Sequence, residues 1–460
     1  MAGEDASRGN KMTPRGTDAL RTAAWIFVLA VSIRLLALVG TFHGNDRVDF
    51  FEDVVIAQNI TKGNGYSLSW SYRNFLFYEI FLDENLRDPI VSGNRITALK
   101  TPLYPALVSA VFACFGLDNF LALFLVHVVL SSLTCVLVFV AVKHYSLSAA
   151  AATAIAVAFY PPFVYHAVAS PESTVLILLL LAACLALIVR ISMKPTTLAW
   201  VALGALGGLM ALTDPVSLPF FGSLAASLIF ATWTCTSVAI RRIVILSIVL
   251  GIVILPWAIR NSMTFDRFVL LKTPVWQNLA RGLHESGIRF PKDVLVDLEK
   301  KGRSLNEAEE DYALRQLVLE VLSKDPMSFV RAIPRNFVHY WWGTERYRSD
   351  TSWKYGFGRK FPYMGLLLVG TLTICWAFTL LVRRPVTYVR QAIVESACVL
   401  LIVTYSAIFA VFGAWNLRYH FPVELGMIVL IGCFAAKRLR ARKRSDPMFR
   451  QLCKPEQSLK

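Results

Sequence analysis

The sequence predicts an all-α polytopic membrane protein with about ten or eleven transmembrane or re-entrant helices. Three observations carry that expectation. Of the 460 residues 56% are apolar and only 17% charged, against about 25% charged in soluble domains. The apolar residues fall in blocks of about 18 to 25, long enough to span a hydrocarbon layer at about 1.5 Å per residue. Lipid leaves no partner for an exposed backbone, so spans built this way are helices. Positive charge, finally, recurs at alternate block ends, as cytoplasmic loops require.

Taken in order, residues 1–21 form a cytoplasmic tail, and the first block, 22–41, contains Arg34 and no small-residue cleavage site, so it reads as a retained anchor. The loop 42–100 follows, with an amphipathic run at 51–60 and an aromatic-rich run from Trp70 to Phe81, both suited to lie flat in the interface. Pro102–Gly116 is apolar but short, and is expected to return to its own side. Further blocks lie near 119–142, 146–169, 173–192, 197–213, 217–235, 243–259, 362–382, 391–413 and 420–436. Lys143, Arg190 with Lys194, Arg241-Arg242 and Arg383-Arg384 then mark one common side together with the tail 437–460. Both termini come out cytoplasmic. Residues 22–436 form the membrane domain, and its loops 42–100 and 260–361 face outward, the second patterned as a small helical unit at 306–323 and 327–341.

Composition excludes several classes. The net charge of +16 is concentrated in a tail with nine Lys/Arg directly after the last block, a stop signal and anionic-lipid contact, which argues against nucleic acid. Eight cysteines are scattered without metal spacing or a disulfide framework. Gly63-Asn-Gly65 lacks the strand and helix context of a phosphate loop. His420 with Glu424 is a histidine–carboxylate pair at helical spacing that enters an apolar helix, and it reads as structural.

Outward-facing polar residues are the candidates for chemistry. Asp49, Glu52 and Asp53 lie within five residues; Asp49 and Asp53 share a helical face, where one carboxylate is suited to act as a base. A solvated helix start accounts for the same residues. Glu172 opens an apolar helix, where capping is the alternative, and Asp214 before Pro215 reads as a turn former. Lys100, Arg260 and Arg418 are cations suited to an anionic lipid phosphate, or to anchoring at the interface. Arg34 sits mid-block and requires a buried partner.

Six segments resemble, in order, the GT-C superfamily of multi-pass glycosyltransferases, specifically the glycosyltransferase family 39 enzymes, protein O-mannosyltransferases and aminoarabinose transferases. They are Asp49 with Ala57, Gly63 and Gly65-Tyr66; Lys100-Thr-Pro102-Leu-Tyr104-Pro105; Ser170-Pro-Glu172; Gly207 to Pro215; Pro256-Trp-Ala-Ile-Arg260-Asn261; and Arg418-Tyr-His-Phe-Pro422-Val-Glu424. The resemblance implies an inverting transfer from a polyprenyl-phosphate sugar donor to a hydroxyl of a lipid, glycan or protein acceptor, outside a bacterial-type inner membrane. In that reading Asp49 is the general base, with Asp53 competing for the role, and Lys100, Arg260 and Arg418 bind the donor phosphate. Glu172 matches an acidic position that orients the acceptor or a metal. Leu99 stands where aminoarabinose-transferring relatives carry an acid, which leaves divalent-metal use open, and Asp214 replaces a usual arginine. The alternative class is a transporter or flippase of a lipid-linked sugar, but no half of the chain echoes the other and polar residues concentrate at one face instead of midway.

Overall fold

The computed structural model describes residues 14–42, 51–69, 94–233, 235–291, 293–296, 298, 305–342, 363, 365–376, 392–413 and 417–445. They form helices almost throughout. Five are long and apolar enough to cross a membrane: Thr17–Thr41, Phe120–Val142, Thr174–Met193, Thr236–Phe265 and Ile393–Phe412. A sixth span arises if Leu147–Phe159 and Pro161–Ala169, bent by 49° at their junction, are counted together. Shorter apolar helices, Leu103–Phe115, Thr197–Thr213, Ser217–Ala231 and Gly365–Trp376, fill the bundle around them. The chain is a multi-pass membrane protein. Residues 70–81, 344–360 and 437–460 are expected to hold interfacial runs, a loop end and the basic tail; the first two stretches and the tail beyond 445 lie outside the described residues.

The bend at Pro161 explains Arg34. Pro162 has no N–H to return to the carbonyl of Ala158, so breaking the helix there orphans an acceptor in apolar surroundings. Arg34, fully buried on the first helix, donates to it at 3.4 Å, to Ala30 O at 3.1 Å and to Ser131 Oγ at 2.8 Å. A cation at membrane depth costs roughly 2.5 to 3.5 kcal/mol on insertion scales. Hydrogen bonds to a charged donor, at about 1.5 to 3 kcal/mol each, offset it. The partner that the sequence demanded is thus a set of neutral oxygens.

Close approach is set by small residues. On Thr197–Thr213, Gly204 and Gly208 face Thr236–Phe265, and a Cβ on Gly208 would stand 2.6 Å from that of Val253. Such small-residue stripes let helices pack backbone to backbone where apolar burial gives no drive.

Two features stand apart from the spans. The first loop holds a short helix, Glu52–Thr61, and a two-stranded antiparallel ribbon of Ser67–Ser69 with Asn94–Ile96, register Ser67 to Ile96. No sequence signal called for that ribbon. The second loop holds Val275–Glu285, Glu307–Lys324 and Pro326–Trp342, close to the expected 306–323 and 327–341. Its core is Leu283, Leu314, Leu317, Val318 and Ala332.

Candidate active site

A pocket forms where the two loops meet the helix ends. Asp53, Lys100, Thr101, Ser173, Thr174, Thr213, Asp214, Lys272, Tyr405 and Tyr419 line it.

Each wall has a local cause. Asp53 lies in the first turn of Glu52–Thr61, where the positive helix end favours a carboxylate, yet it is buried rather than solvated. Lys100 approaches it from the segment after the ribbon, its Nζ 3.3 Å from Glu52 and 3.6 Å from Asp53. That segment is held from three directions: Tyr66 donates its phenol to Lys100 O at 3.0 Å, Thr101 Oγ1 donates to Thr213 O at 2.9 Å, and Arg260 donates to Thr97 O at 2.8 Å. Burial, reinforced by the charge of Asp53, pushes the Tyr66 phenol well above its ordinary range, so it stays a donor.

Asp214 ends Thr197–Thr213 in an extended conformation, and its Oδ1 accepts from Val216 N at 3.2 Å. It shapes the turn as its place before Pro215 predicts, and lines the pocket as well. Ser173 and Thr174 enter from the start of Thr174–Met193. Tyr405 comes from Ile393–Phe412 and Tyr419 from the single turn Leu417–His420. The result is two carboxylates, two ammonium groups and several hydroxyls at the ends of apolar helices. Such a set suits a substrate with an anionic head and a hydroxyl to be deprotonated.

The structure brings only part of the expected set together. Asp53 and Lys100 meet at the pocket. Glu172 is buried beside it, with its carboxylate 3.7 Å from His166 Nδ1. Arg260 faces the rear of the 97–100 segment, over the rings of Tyr66 and Trp257 at 5.3 and 4.8 Å, and donates to Tyr66 O at 3.2 Å. Its contacts are those of a brace. Asp49 and the side chain of Arg418 lie outside the described residues. Among the described residues no group of three His, Cys, Asp or Glu is placed to hold a metal.

Lys272 is the residue that sequence reading passed over, although a signal for it exists. Lys272-Thr273-Pro274 repeats Lys100-Thr101-Pro102, and each proline caps the start of a helix, Val275–Glu285 and Leu103–Phe115.

No family model and no curated protein matches the sequence. Among solved structures, the chain is similar to the oligosaccharyltransferase of Archaeoglobus fulgidus. One structure is the apo form; in the other the enzyme is tethered by a disulfide to an acceptor peptide with an NVT sequon. Each aligns with a TM-score of 0.51 and 14% identity over 96% of this chain. The chain spans about half of those chains, 52% of their length. At that identity the likeness shows the fold. The fold is of the GT-C type.

Proposed function

We propose that the protein is an inverting membrane glycosyltransferase, of the protein O-mannosyltransferase and aminoarabinose transferase type, which moves a sugar from a polyprenyl-phosphate donor to an acceptor hydroxyl. The observation that carries this reading is the pairing of Asp53 with Lys100 in a pocket that also holds Lys272 and Asp214. The GT-C fold supports it, since the neighbours with that fold are transferases.

In the reaction, a carboxylate takes the proton from the acceptor O–H as that oxygen attacks the anomeric carbon. The bond from that carbon to the phosphate oxygen breaks, and its electron pair stays on the departing phosphate. Lysine ammonium groups stabilise the charge that develops there. Asp53 is in the pocket wall, and Asp49 precedes its helix by three residues, so both stand as the base. The distribution of Lys and Arg supports a pocket on the outer face of a cell inner membrane.

Membranes carrying Asp49→Asn, Asp53→Asn or the double variant test this with a radiolabelled polyprenyl-phosphate sugar. The double variant is expected to lose at least about a hundredfold in transfer, the usual share of general base catalysis. Unchanged transfer in all three would overturn the assignment. Movement of the lipid across liposomes without covalent product would turn it to a transporter.

A further inference from the structure

The two Lys-Thr-Pro tripeptides are far apart in sequence and side by side in the fold. Thr273 N donates to Ala98 O at 3.1 Å, joining the segments that hold Lys272 and Lys100. One carboxylate fastens both. Glu307, buried, accepts from Thr97 Oγ1 at 2.6 Å, from Ala98 N at 2.9 Å and from Thr273 Oγ1 at 2.9 Å.

Helix capping does not account for this carboxylate. Glu307 opens Glu307–Lys324, but that helix is capped by Asn306, whose side chain accepts from Ala308 N and Glu309 N while Glu309 returns to Asn306 N. A reciprocal box of this kind already satisfies the helix end. Glu307 instead points across to the pocket segments. A buried charge with three donors is retained at a desolvation cost that a packed apolar side chain would avoid. The hydrogen bonds hold Thr97, Ala98 and Thr273 in one geometry, and Arg260 grips the Thr97 carbonyl from the other side.

From this we infer that Glu307 is a positioning residue, which sets the two Lys-Thr-Pro segments as a single two-lysine clamp for the phosphate of the donor. The inference rests on the proposed function for the pocket and adds a link: the helical unit of the second loop determines the spacing of the pocket cations. Both prolines start helices whose positive ends accompany the lysines, so the phosphate head meets positive charge from two directions.

The test measures binding of farnesyl phosphate to the full-length protein in detergent across a salt series. Lys100→Ala and Lys272→Ala are each expected to weaken binding at least fivefold and to flatten its salt dependence. Glu307→Gln is expected to weaken it about tenfold, while Glu307→Asp retains part of the affinity. The double variant Glu307→Gln/Lys272→Ala is expected to lose less than the two single losses combined, because the carboxylate acts in part through Lys272. A merely structural role predicts additive losses instead, and additivity overturns the inference. So does wild-type affinity in Glu307→Gln alongside weakened lysine variants. Wild-type affinity in both lysine variants overturns the pocket reading itself. If Glu307→Gln does not fold, Thr273→Val, which removes one hydroxyl, is expected to weaken binding in the same direction; wild-type affinity there and in Glu307→Asp counts against the clamp.

Discussion

The Lys100 ammonium stands 3.6 Å from the Asp53 carboxylate, in a pocket wall where Asp53 is only 4% exposed. The cation therefore pairs with a buried carboxylate and, under the proposed function, faces the anionic substrate as well.

These two roles separate by mutation. Lys100→Met removes the ammonium beside the buried Asp53, and losing a contact to a charged group costs about 1.5 to 3 kcal/mol. Thermal unfolding in detergent should register that loss. Adding Asp53→Asn should restore much of the stability while transfer stays abolished. Equal stability of wild type and Lys100→Met would show that the pair contributes nothing to the fold.

How much of this was legible in sequence follows from which forces are local. Apolar blocks declare themselves, because lipid demands continuous stretches, and the second loop helices at 307–324 and 326–342 were visible in their charge pattern. Arg34 announced a need without naming the answer, since Ser131 and Ala158 are 97 and 124 residues away. The ribbon of 67–69 with 94–96 depends on pairing across an intervening stretch, and three residues per strand are too few for an alternating pattern. At the site, Asp53 and Lys100 could be picked out because each neighbours a recognisable helix start. Arg260 shows the limit of that approach: a cation at a span end looks the same in sequence whether it meets a phosphate or the Thr97 carbonyl. Lys272 stood in a repeated tripeptide, but only the contact of Thr273 with Ala98 shows why the repeat matters.

Helix packing gives a second prediction. Gly208 faces Val253 so closely that an added Cβ would lie 2.6 Å from the valine Cβ, and neither lies at the end of a flexible side chain. Gly208→Ala should therefore destabilise the bundle by about 1 to 3 kcal/mol, the usual cost of overpacking. Val253→Ala in the same chain should recover part of the loss. A melting temperature unchanged by Gly208→Ala would mean that the two helices can separate freely.

A third concerns an ion pair remote in sequence from the pocket residues. Glu395, with no exposed surface, sits 2.6 Å from Lys437 Nζ and accepts from the Tyr145 phenol at 2.8 Å. Lys437→Met removes the partly exposed cation from a buried carboxylate that keeps its Tyr145 hydrogen bond, a loss of about 1 to 3 kcal/mol. Glu395→Gln/Lys437→Met should regain most of it, since replacing both members removes the desolvation cost. Unfolding of the two singles and the double in detergent closes the cycle; a double variant no more stable than Lys437→Met would show that the pair is not the source of the loss.

Acid should loosen the second loop. His284 lies at the end of Val275–Glu285, where burial, and after it the Arg289 guanidinium, hold its imidazole below the ordinary histidine range of about 6.5. The folded chain thus disfavours the proton that the unfolded chain accepts. Its stability contribution is complete above the unfolded pKa of about 6.5 and is lost as pH falls from there through the folded value. Hydrogen exchange of the amides in 275–285 should accordingly quicken, after correction for intrinsic rates, between pH 7 and pH 5. His284→Gln removes the titrating group, so the same amides should show a flatter profile. An identical pH dependence in the variant would assign the loosening to other groups of the loop.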